Sequence, residues 1–352
     1  MKKVFFAMAM VAMMATSCSK DDSLPEGGKG LQKSVTFSLE NVVSGVRSVD
    51  ATIPSATKIQ LNDCQVFFVA ANGSLHTGKN LEGTADATHY FTSAPTGELT
   101  FHFLPAEVEK VVVVGNYGSE LDPDDLDAIK AIATEAVEQQ DDENLLVYGE
   151  AALVATDNDI HANTYKAEVT VKPLVARIEV SGFACNFSTT PIYDEVKVTM
   201  MALNNYYKDA TIGGTISNLV STSITDSSAY PFFNDTTAPT YTKDVISGVS
   251  LTAAAPAVDF DDDKYLVYHT FAGSVPQLVA RITGVNGGVE SPLYLATRAF
   301  NDGTNTITSF EAGKIYRMSF AFADTDLAQP EKCVQVSIKT AEWVVVHVTP
   351  EF

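Results

Sequence analysis

Apolar and polar side chains alternate along much of this chain of 352 residues, which is the period of strands with one buried face. In the first half the pattern predicts strands over 33–47, 58–70, 99–104, 110–114, 145–153 and 165–171. In the second half it predicts strands over 174–180, 195–203, 265–271, 277–285, 292–298 and 314–322. Turn residues bound most of these segments, so the sequence predicts an all-β protein, mainly antiparallel, with one or two short helices.

One stretch has a helical period instead. Asp122 and Pro123 stand where an N-cap and the first helical residue are expected, and apolar residues recur at helical spacing from Leu126 to Val137. Four aspartates gather at its start: Asp122, Asp124, Asp125 and Asp127. A calcium loop is the alternative interpretation, but the segment lacks the glycine and distal glutamate of an EF-hand, so capping is favoured.

Two domains are expected after residue 47, because that length exceeds one typical core. Lys172-Pro173 closes one run of strands and a new apolar run follows, which places the domains at 48–172 and 173–352. The residues LVARI occur at 174–178 and again at 278–282, either by chance or as two equivalent strands of one sandwich. The region 204–257 is rich in Ser, Thr and Asn and is predicted to form loops with short strands.

Residues 1–18 have the features of an export signal, with two lysines before an apolar run that is too short for a membrane span. The signal ends in Ala15-Thr16-Ser17-Cys18, which resembles the lipobox of bacterial lipoproteins and implies that Cys18 carries fatty acyl chains such as palmitate. An ordinary secretory signal with an incidental cysteine is the alternative. The next residues, Ser19-Lys20-Asp21-Asp22, resemble the export tag of Bacteroidetes lipoproteins, which points to the outer face of the outer membrane.

Residues 19–47 form a tether followed by a strand. The apolar residues of that strand share one face at period two: Val35, Phe37, Leu39 and Val43. Arg47 is the first arginine of the chain and the next is Arg177, so an arginine-specific protease has one early target, between Arg47 and Ser48. We hypothesise that cutting there releases the strand and leaves an apolar groove for another chain.

The C-terminal tail, at about 334–352, is unusually apolar for a terminus and contains the only tryptophan of the chain. Its candidate donor residues are Trp343, Val344, Val345, Val346 and Val348. An unpaired apolar tail would be an aggregation hazard, so this segment must pack on something. For 334–338 we leave open whether the segment completes a sheet of its own domain, whereas for 343–348 insertion into a neighbouring subunit is favoured.

The charge and the motif content exclude several classes of function. A net charge of −21 argues against nucleic acid as a partner and against electrostatic binding to anionic lipid. Cys64, Cys185 and Cys333 are predicted to be buried thiols, with one disulfide left open. No nucleophile, metal or nucleotide motif occurs and the six histidines are scattered singly, so we expect no enzyme, no metal site and no cofactor. Paired carboxylates of a glycoside hydrolase stay open, because they would meet only in the fold.

The order of these features resembles the fimbrillin family of Bacteroidales, whose members are subunits of type V pili. The resemblance rests on the lipobox at Cys18, the strand before Arg47, the run Lys172-Pro173-Leu174-Val175-Ala176-Arg177-Ile178 and the ending 343–352. It implies two transthyretin-like β-sandwich domains, export as a lipoprotein, and removal of the N-terminal segment by an arginine-specific protease that cuts after Arg47. It also implies donor-strand exchange with other copies or related fimbrial subunits, in a fimbrium at the cell surface.

Presence of both Arg47 and an apolar tail favours a major, filament-forming subunit that supports adhesion. The competing hypothesis is a monomeric or tip-located surface lipoprotein that binds glycan or host protein, with the tail tucked into its own second domain. An enzyme is the third alternative.

Overall fold

The computed structural model describes residues 32–39, 53–54, 58–59, 61–93, 95, 98–141, 144–156, 163–221, 233, 242–260, 264–273, 275–302, 305–328, 333–337, 339–342 and 344–345. Strands make up most of these residues, as the alternation predicts. They pair mainly in antiparallel fashion and form β-sandwiches, which confirms the predicted fold class.

The described residues of the first half of the chain form thirteen strands and one α-helix. The strands are β1 (Lys33–Leu39), β2 (Ile53–Pro54), β3 (Lys58–Ile59), β4 (Cys64–Ala70), β5 (Leu75–His76), β6 (Tyr90–Phe91), β7 (Leu99–Leu104), β8 (Val108–Gly115), β9 (Ala133–Glu135), β10 (Val147–Ala152), β11 (Val154–Ala155), β12 (Thr164–Val169) and β13 (Lys172–Pro173). The helix is α1 (Leu126–Lys130), and a 3-10 turn covers Glu138–Gln140.

The second half continues with longer strands. They are β14 (Val175–Asn186), β15 (Glu195–Asn204), β16 (Tyr206–Thr211), β17 (Ile216–Val220), β18 (Lys243–Leu251), β19 (Ala257–Asp259), β20 (Lys264–Phe271), β21 (Gln277–Asn286), β22 (Val289–Asn301), β23 (Thr306–Ile307), β24 (Lys314–Ala323), β25 (Cys333–Ser337), β26 (Lys339–Glu342) and β27 (Val344–Val345). A 3-10 turn covers Asp324–Ala328.

The first sandwich packs the sheet β11-β12-β1-β7 against the sheet β13-β10-β8-β4-β5. Its core takes Val111 and Val113 from β8, while Val112 and Val114 point the other way and pack with Leu126 and the rest of the apolar side of α1. Both faces of β8 are therefore covered, which explains why this strand is a continuous apolar run.

The second sandwich packs the sheet β2-β20-β14-β24-β26 against the sheet β18-β15-β21-β22-β23. The second LVARI segment lies in β21 and the first, apart from Leu174, lies in β14, and these two strands belong to the opposite sheets of this one sandwich. Ala176 and Ile178 of the first copy, and Ala280 and Ile282 of the second, all point into the same core. The repeat therefore reflects two strands that meet the same packing requirement.

The two sandwiches share one strand order. In the first, β1 lies between β12, to which it is parallel, and β7, to which it is antiparallel. In the second, β14 lies between β24, to which it is parallel, and β20, to which it is antiparallel. The facing sheets also correspond, as β10-β8-β4-β5 and β22-β21-β15-β18. Strand β1 is therefore the counterpart of β14 and an integral part of its sandwich.

A three-stranded sheet, β17-β16-β9, joins the two halves of the chain. The Ala136 amide donates to the Lys208 carbonyl over 2.6 Å, and the Ile212 amide donates to the Ile132 carbonyl over 2.9 Å. Ile212 also joins the apolar cluster under α1. The hairpin of the second half thus covers the outer face of the first sandwich.

The predicted helix from Asp122 to Val137 is wrong in both bounds. Helix α1 has only five residues, and its N-cap is Asp125, whose Oδ1 accepts a hydrogen bond from the Ala128 amide over 2.8 Å. Residues Ala133–Glu135 form β9 because they pair with β16, which lies far along the chain. The region 204–257 likewise contains more strand than predicted, including the nine-residue β18.

Candidate functional site: the first strand and its slot

Strand β1 occupies a slot in the middle of a sheet. Residues Ser34–Leu39 pair in parallel register with Thr164–Val169 of β12, and the opposite edge pairs with β7. Among the strands that the structure describes, β1 alone joins β12 to β7. Adjacent strands lie about 4.8 Å apart, so loss of β1 would leave a gap of about 10 Å between two unpaired edges.

The inward face of β1 belongs to the core of the first sandwich. Val35 and Phe37 are 0% and 1% exposed. Val35 lies directly opposite Phe101, whose ring meets the Phe68 ring edge-on with centroids 4.8 Å apart. Burial of two such side chains contributes about 3 to 6 kcal/mol, so the slot is an apolar site that needs an occupant.

The outward face of β1 makes neutral polar contacts with β7. The Ser34 hydroxyl lies 3.1 Å from Nδ1 of His102, and the Thr36 hydroxyl lies 3.0 Å from that of Thr100. Neutral hydrogen bonds of this kind contribute only about 1 kcal/mol each, so they set the register of the strand more than they hold it.

Lys33 anchors the beginning of β1. Its Nζ donates to the Val108 carbonyl over 2.6 Å and lies 4.6 Å from the centre of the Tyr165 ring. Beside it, the Ser34 amide donates to the Asn163 carbonyl over 3.1 Å. These contacts give the slot a defined end and therefore a direction.

The predicted site residues divide into two groups. Val35 and Phe37 fill the slot, and Leu39 lies in β1 opposite Val169 in the register. Outside the described residues lie Cys18, Val43, Arg47, Ser48, Trp343, Val346 and Val348. Lipidation, cleavage and release of the strand therefore stay predictions.

The four later arginines all lie within strands. They are Arg177 in β14, Arg281 in β21, Arg298 in β22 and Arg317 in β24. A protease must bind several residues in an extended and unpaired form, and backbone groups in a sheet ladder are already paired.

The described part of the tail pairs within its own chain. Strand β25 adds in parallel to β22, β26 adds to β24, and β27 pairs with β3 through Val344 opposite Lys58 and Val345 opposite Ile59. For 334–338 the structure thus favours the own-sheet interpretation in this form of the molecule. Insertion of 343–348 into a neighbour stays a prediction.

Sequence reasoning missed the pairing partners of β1 and the anchor at Lys33. It also missed β2, which pairs with β20 of the second sandwich through Ile53 opposite Tyr265. Sequence alternation shows that a strand has a buried face, but it does not show which distant strand receives it.

Three findings on the described residues concern thiols, metal ligands and helix length. Cys64 and Cys185 are buried free thiols, and burial raises the pKa of each to about 12. No group of three or more His, Cys, Asp or Glu side chains that could hold a metal ion occurs in the described ranges. Helices there are also too short to cross a bilayer.

Comparison with proteins of known structure shows the fold of this chain. No protein-family model matches the sequence, and no curated protein matches it. Among solved structures, a protein described as a cell adhesion protein from Bacteroides eggerthii is 16% identical with a TM-score of 0.57, over 91% of this chain and 98% of the other. A similarly described protein from Parabacteroides distasonis is 13% identical with a TM-score of 0.58, over 92% and 99%.

A third solved structure is a fimbrilin from Porphyromonas gingivalis, 15% identical with a TM-score of 0.50, over 90% of this chain and 99% of the other. This chain has the fimbrilin fold. Because the similarity extends over nearly the whole length of each protein, the fimbrilin fold here includes both sandwiches.

Proposed function

We propose that this protein is a structural subunit of a surface fimbria that polymerises by protease-triggered strand exchange and supports adhesion. The observation that carries the proposal is the position of β1. It is a central strand with two fully buried side chains, and it is joined to the rest of the chain only through the segment that contains Arg47.

The proposed sequence of events begins at the membrane. The precursor is anchored through lipid on Cys18 and carries β1 in the slot, which keeps its sheet closed during export. An arginine-specific protease cuts between Arg47 and Ser48 and frees β1 with the anchor. The slot then takes a strand from the apolar tail of another copy, for which the sequence offers 334–352. Because donor and acceptor surfaces differ, this head-to-tail contact does not close and gives a filament.

The energetics suit a switch. Strand exchange replaces one backbone ladder by another and one set of buried side chains by another, so the gross gain is similar before and after. Covalent attachment gives β1 a high effective concentration at the slot, and the cut removes that advantage. The tail of a second copy competes only after cleavage.

A second candidate function is a monomeric or tip-located surface lipoprotein that binds glycan or host protein. It is favoured by one observation, which is that the described tail strands β25, β26 and β27 all pair within the chain.

The test is digestion of the protein, produced without its first 18 residues, by an arginine-specific protease, followed by mass spectrometry and electron microscopy. We expect a single cut after Arg47 and the appearance of filaments, both absent in Arg47→Ala. The matched variant is Arg47→Lys, which the arginine-specific enzyme leaves intact and trypsin cuts. Complete cutting that leaves a stable monomer would refute strand exchange and support the monomeric alternative.

A further inference from the structure

The slot of β1 restricts which strand can replace it. Its inner side is apolar, with Val35 and Phe37 fully buried, and its outer side is polar and half-buried around Ser34 and Thr36. The neighbours on the outer side are Thr100 and His102 of β7 and Lys166 and Glu168 of β12. A replacement must therefore alternate apolar and polar residues strictly.

The tail contains a second copy of the β1 pattern. Residues 33–40 read Lys-Ser-Val-Thr-Phe-Ser-Leu-Glu, and residues 332–339 read Lys-Cys-Val-Gln-Val-Ser-Ile-Lys. Three positions are identical, the lysine at 33 and 332, the valine at 35 and 334, and the serine at 38 and 337. Cys333 replaces Ser34 with a group of similar size, and Ile338 replaces Leu39. Apolar residues stand at the same three alternate positions, Val334, Val336 and Ile338.

The end of the tail does not meet the same requirement. Residues 344–346 are three consecutive valines, so at least one of them would lie on the polar side of the slot in either register. Trp343 or Val345 would then face Thr100 or Lys166, where β1 presents serine and threonine.

Two charged residues favour insertion of residues 332–339 in the same chain direction as β1. Lys332 aligns with Lys33, whose ammonium group binds the Val108 carbonyl and lies over Tyr165. At the other end, Lys339 aligns in sequence with Glu40, and the last described outward residue of β1, Ser38, lies opposite Glu168, which shares Lys166 with Glu98. A basic residue there reduces the excess of negative charge, whereas the reversed orientation loses both contacts.

We propose that residues 332–339 of a second copy fill the slot, in the direction of β1, with Val334, Val336 and Ile338 in the places of Val35, Phe37 and Leu39. This inference rests on the proposed strand exchange, and it moves the donor from Trp343–Val348 to the segment that contains β25. In the monomer β25 is already a strand, paired in parallel with β22. Exchange therefore requires it to leave its own sheet.

The first test uses peptides, so that the donor copy need not fold. Protein without its first 18 residues is cut after Arg47 and mixed with a peptide of residues 332–341 or of residues 343–352. We expect the first peptide to bind the cut protein and to block filament formation, and the second to do neither. Val336→Phe in the peptide restores the ring of Phe37 and should tighten binding about tenfold, whereas Val336→Asp should abolish it.

Register is tested by disulfide capture. Gln335 would take the place of Thr36, opposite Thr100, so a Gln335→Cys peptide should cross-link to Thr100→Cys protein. A Ser337→Cys peptide is the control and should not cross-link to Thr100→Cys protein. Both peptides carry Cys333→Ser, so that each has a single thiol. Lys332→Met should weaken binding about tenfold through loss of the charged hydrogen bond.

The outcomes separate the two proposals. If residues 343–352 bind and block assembly while residues 332–341 do not, the donor assignment is wrong and strand exchange stands. Cross-linking from Ser337→Cys instead of Gln335→Cys overturns the register. If fully cut protein neither assembles nor binds either peptide, strand exchange itself fails.

Discussion

Strands β1 and β14 hold equivalent places in the two sandwiches but are held there differently. The outer face of β14 carries Arg177 and Glu179, both 0% exposed. Arg177 Nε lies 2.8 Å from one carboxylate oxygen of Glu179, and Arg317 Nε of β24 lies 2.8 Å from the other. On the outer face of β1 the described side-chain contacts are those of the Ser34 and Thr36 hydroxyls.

This difference bears on which sandwich the proposed strand exchange would use. Arg177 and Glu179 both lie on β14, so removal of β14 would part Glu179 from Arg317 of β24, and a replacement strand would have to bring its own buried carboxylate to that place. Removal of β1 breaks the hydroxyl contacts of Ser34 and Thr36 and the charged hydrogen bond of Lys33, which a new strand with polar outer residues and a lysine at its start can replace. Strand β14 is also longer, with twelve residues against seven. The two sandwiches thus have one topology, and the side-chain chemistry of the equivalent strands favours the first sandwich as the site of the proposed exchange.

The largest expected effect comes from removing the buried carboxylate of β14, which binds Arg177 and Arg317. Glu179→Ala leaves Arg177 buried without its carboxylate and should lower the free energy of unfolding by about 4 kcal/mol, measured by urea denaturation. The control is Glu168→Ala on β12, whose exposed carboxylate pairs with Lys166, and here we expect less than about 1 kcal/mol. Equal losses in the two variants would contradict the comparison.

Removal of the main apolar contact of β1 should have a slightly smaller effect. Phe37→Ala deletes a side chain that is 1% exposed and should cost about 3 kcal/mol in the uncut protein. After cleavage the same variant should release its N-terminal fragment faster, as followed by size-exclusion chromatography. Thr36→Ala, on the other face of the same strand, should cost less than about 1 kcal/mol. A release rate that Phe37→Ala leaves unchanged would show that β1 is not held through its inner face.

A third variant tests whether the two sandwiches unfold as one unit. Ile212 comes from the second half of the chain and packs under α1 on the first sandwich, where it is 5% exposed. Ile212→Ala should cost about 2 kcal/mol and divide the calorimetric transition into two. Leu219→Ala, on the exposed side of the same hairpin, should leave a single transition. A single calorimetric transition in both variants would mean that contacts other than those of Ile212 couple the unfolding of the two sandwiches.

Much of the fold was predictable because most strands here have one buried face. Phe37 and Ile178 each follow the alternation that locates their strands. Strand β18 was hidden in a polar region for a physical reason. It is an edge strand with a bulge near Gly248, whose φ is +79°, and the bulge breaks the alternation. The sequence of 126–137 fits a helix, and only pairing with β16 makes Ala133–Glu135 a strand.

The candidate site was predictable only in part. Alternation identifies Val35 and Phe37 as buried, but the parallel pairing with β12 depends on residues more than a hundred positions away. The roles of Lys33 and of the polar outer face became visible only when their neighbours were known. Once those neighbours are known, the alternation of residues 332–339 can be compared with that of β1, a comparison that the hydrophobicity of the tail alone did not suggest.

The last prediction compares the sandwiches without altering either core. Cys64 lies in the core of the first and Cys185 in that of the second, with exposures of 0% and 1%. Burial raises both pKa values to about 12, so at pH 8 only about one thiol in ten thousand is ionised in the closed state. In protein without its first 18 residues and with Cys333→Ser, cleavage after Arg47 should expose Cys64 to a thiol reagent and leave Cys185 protected. Added peptide of residues 32–41 should protect Cys64 again. In Arg47→Ala, treatment with the protease should leave the labelling of Cys64 unchanged. Equal labelling of Cys64 and Cys185 after cleavage would mean that loss of β1 opens both sandwiches.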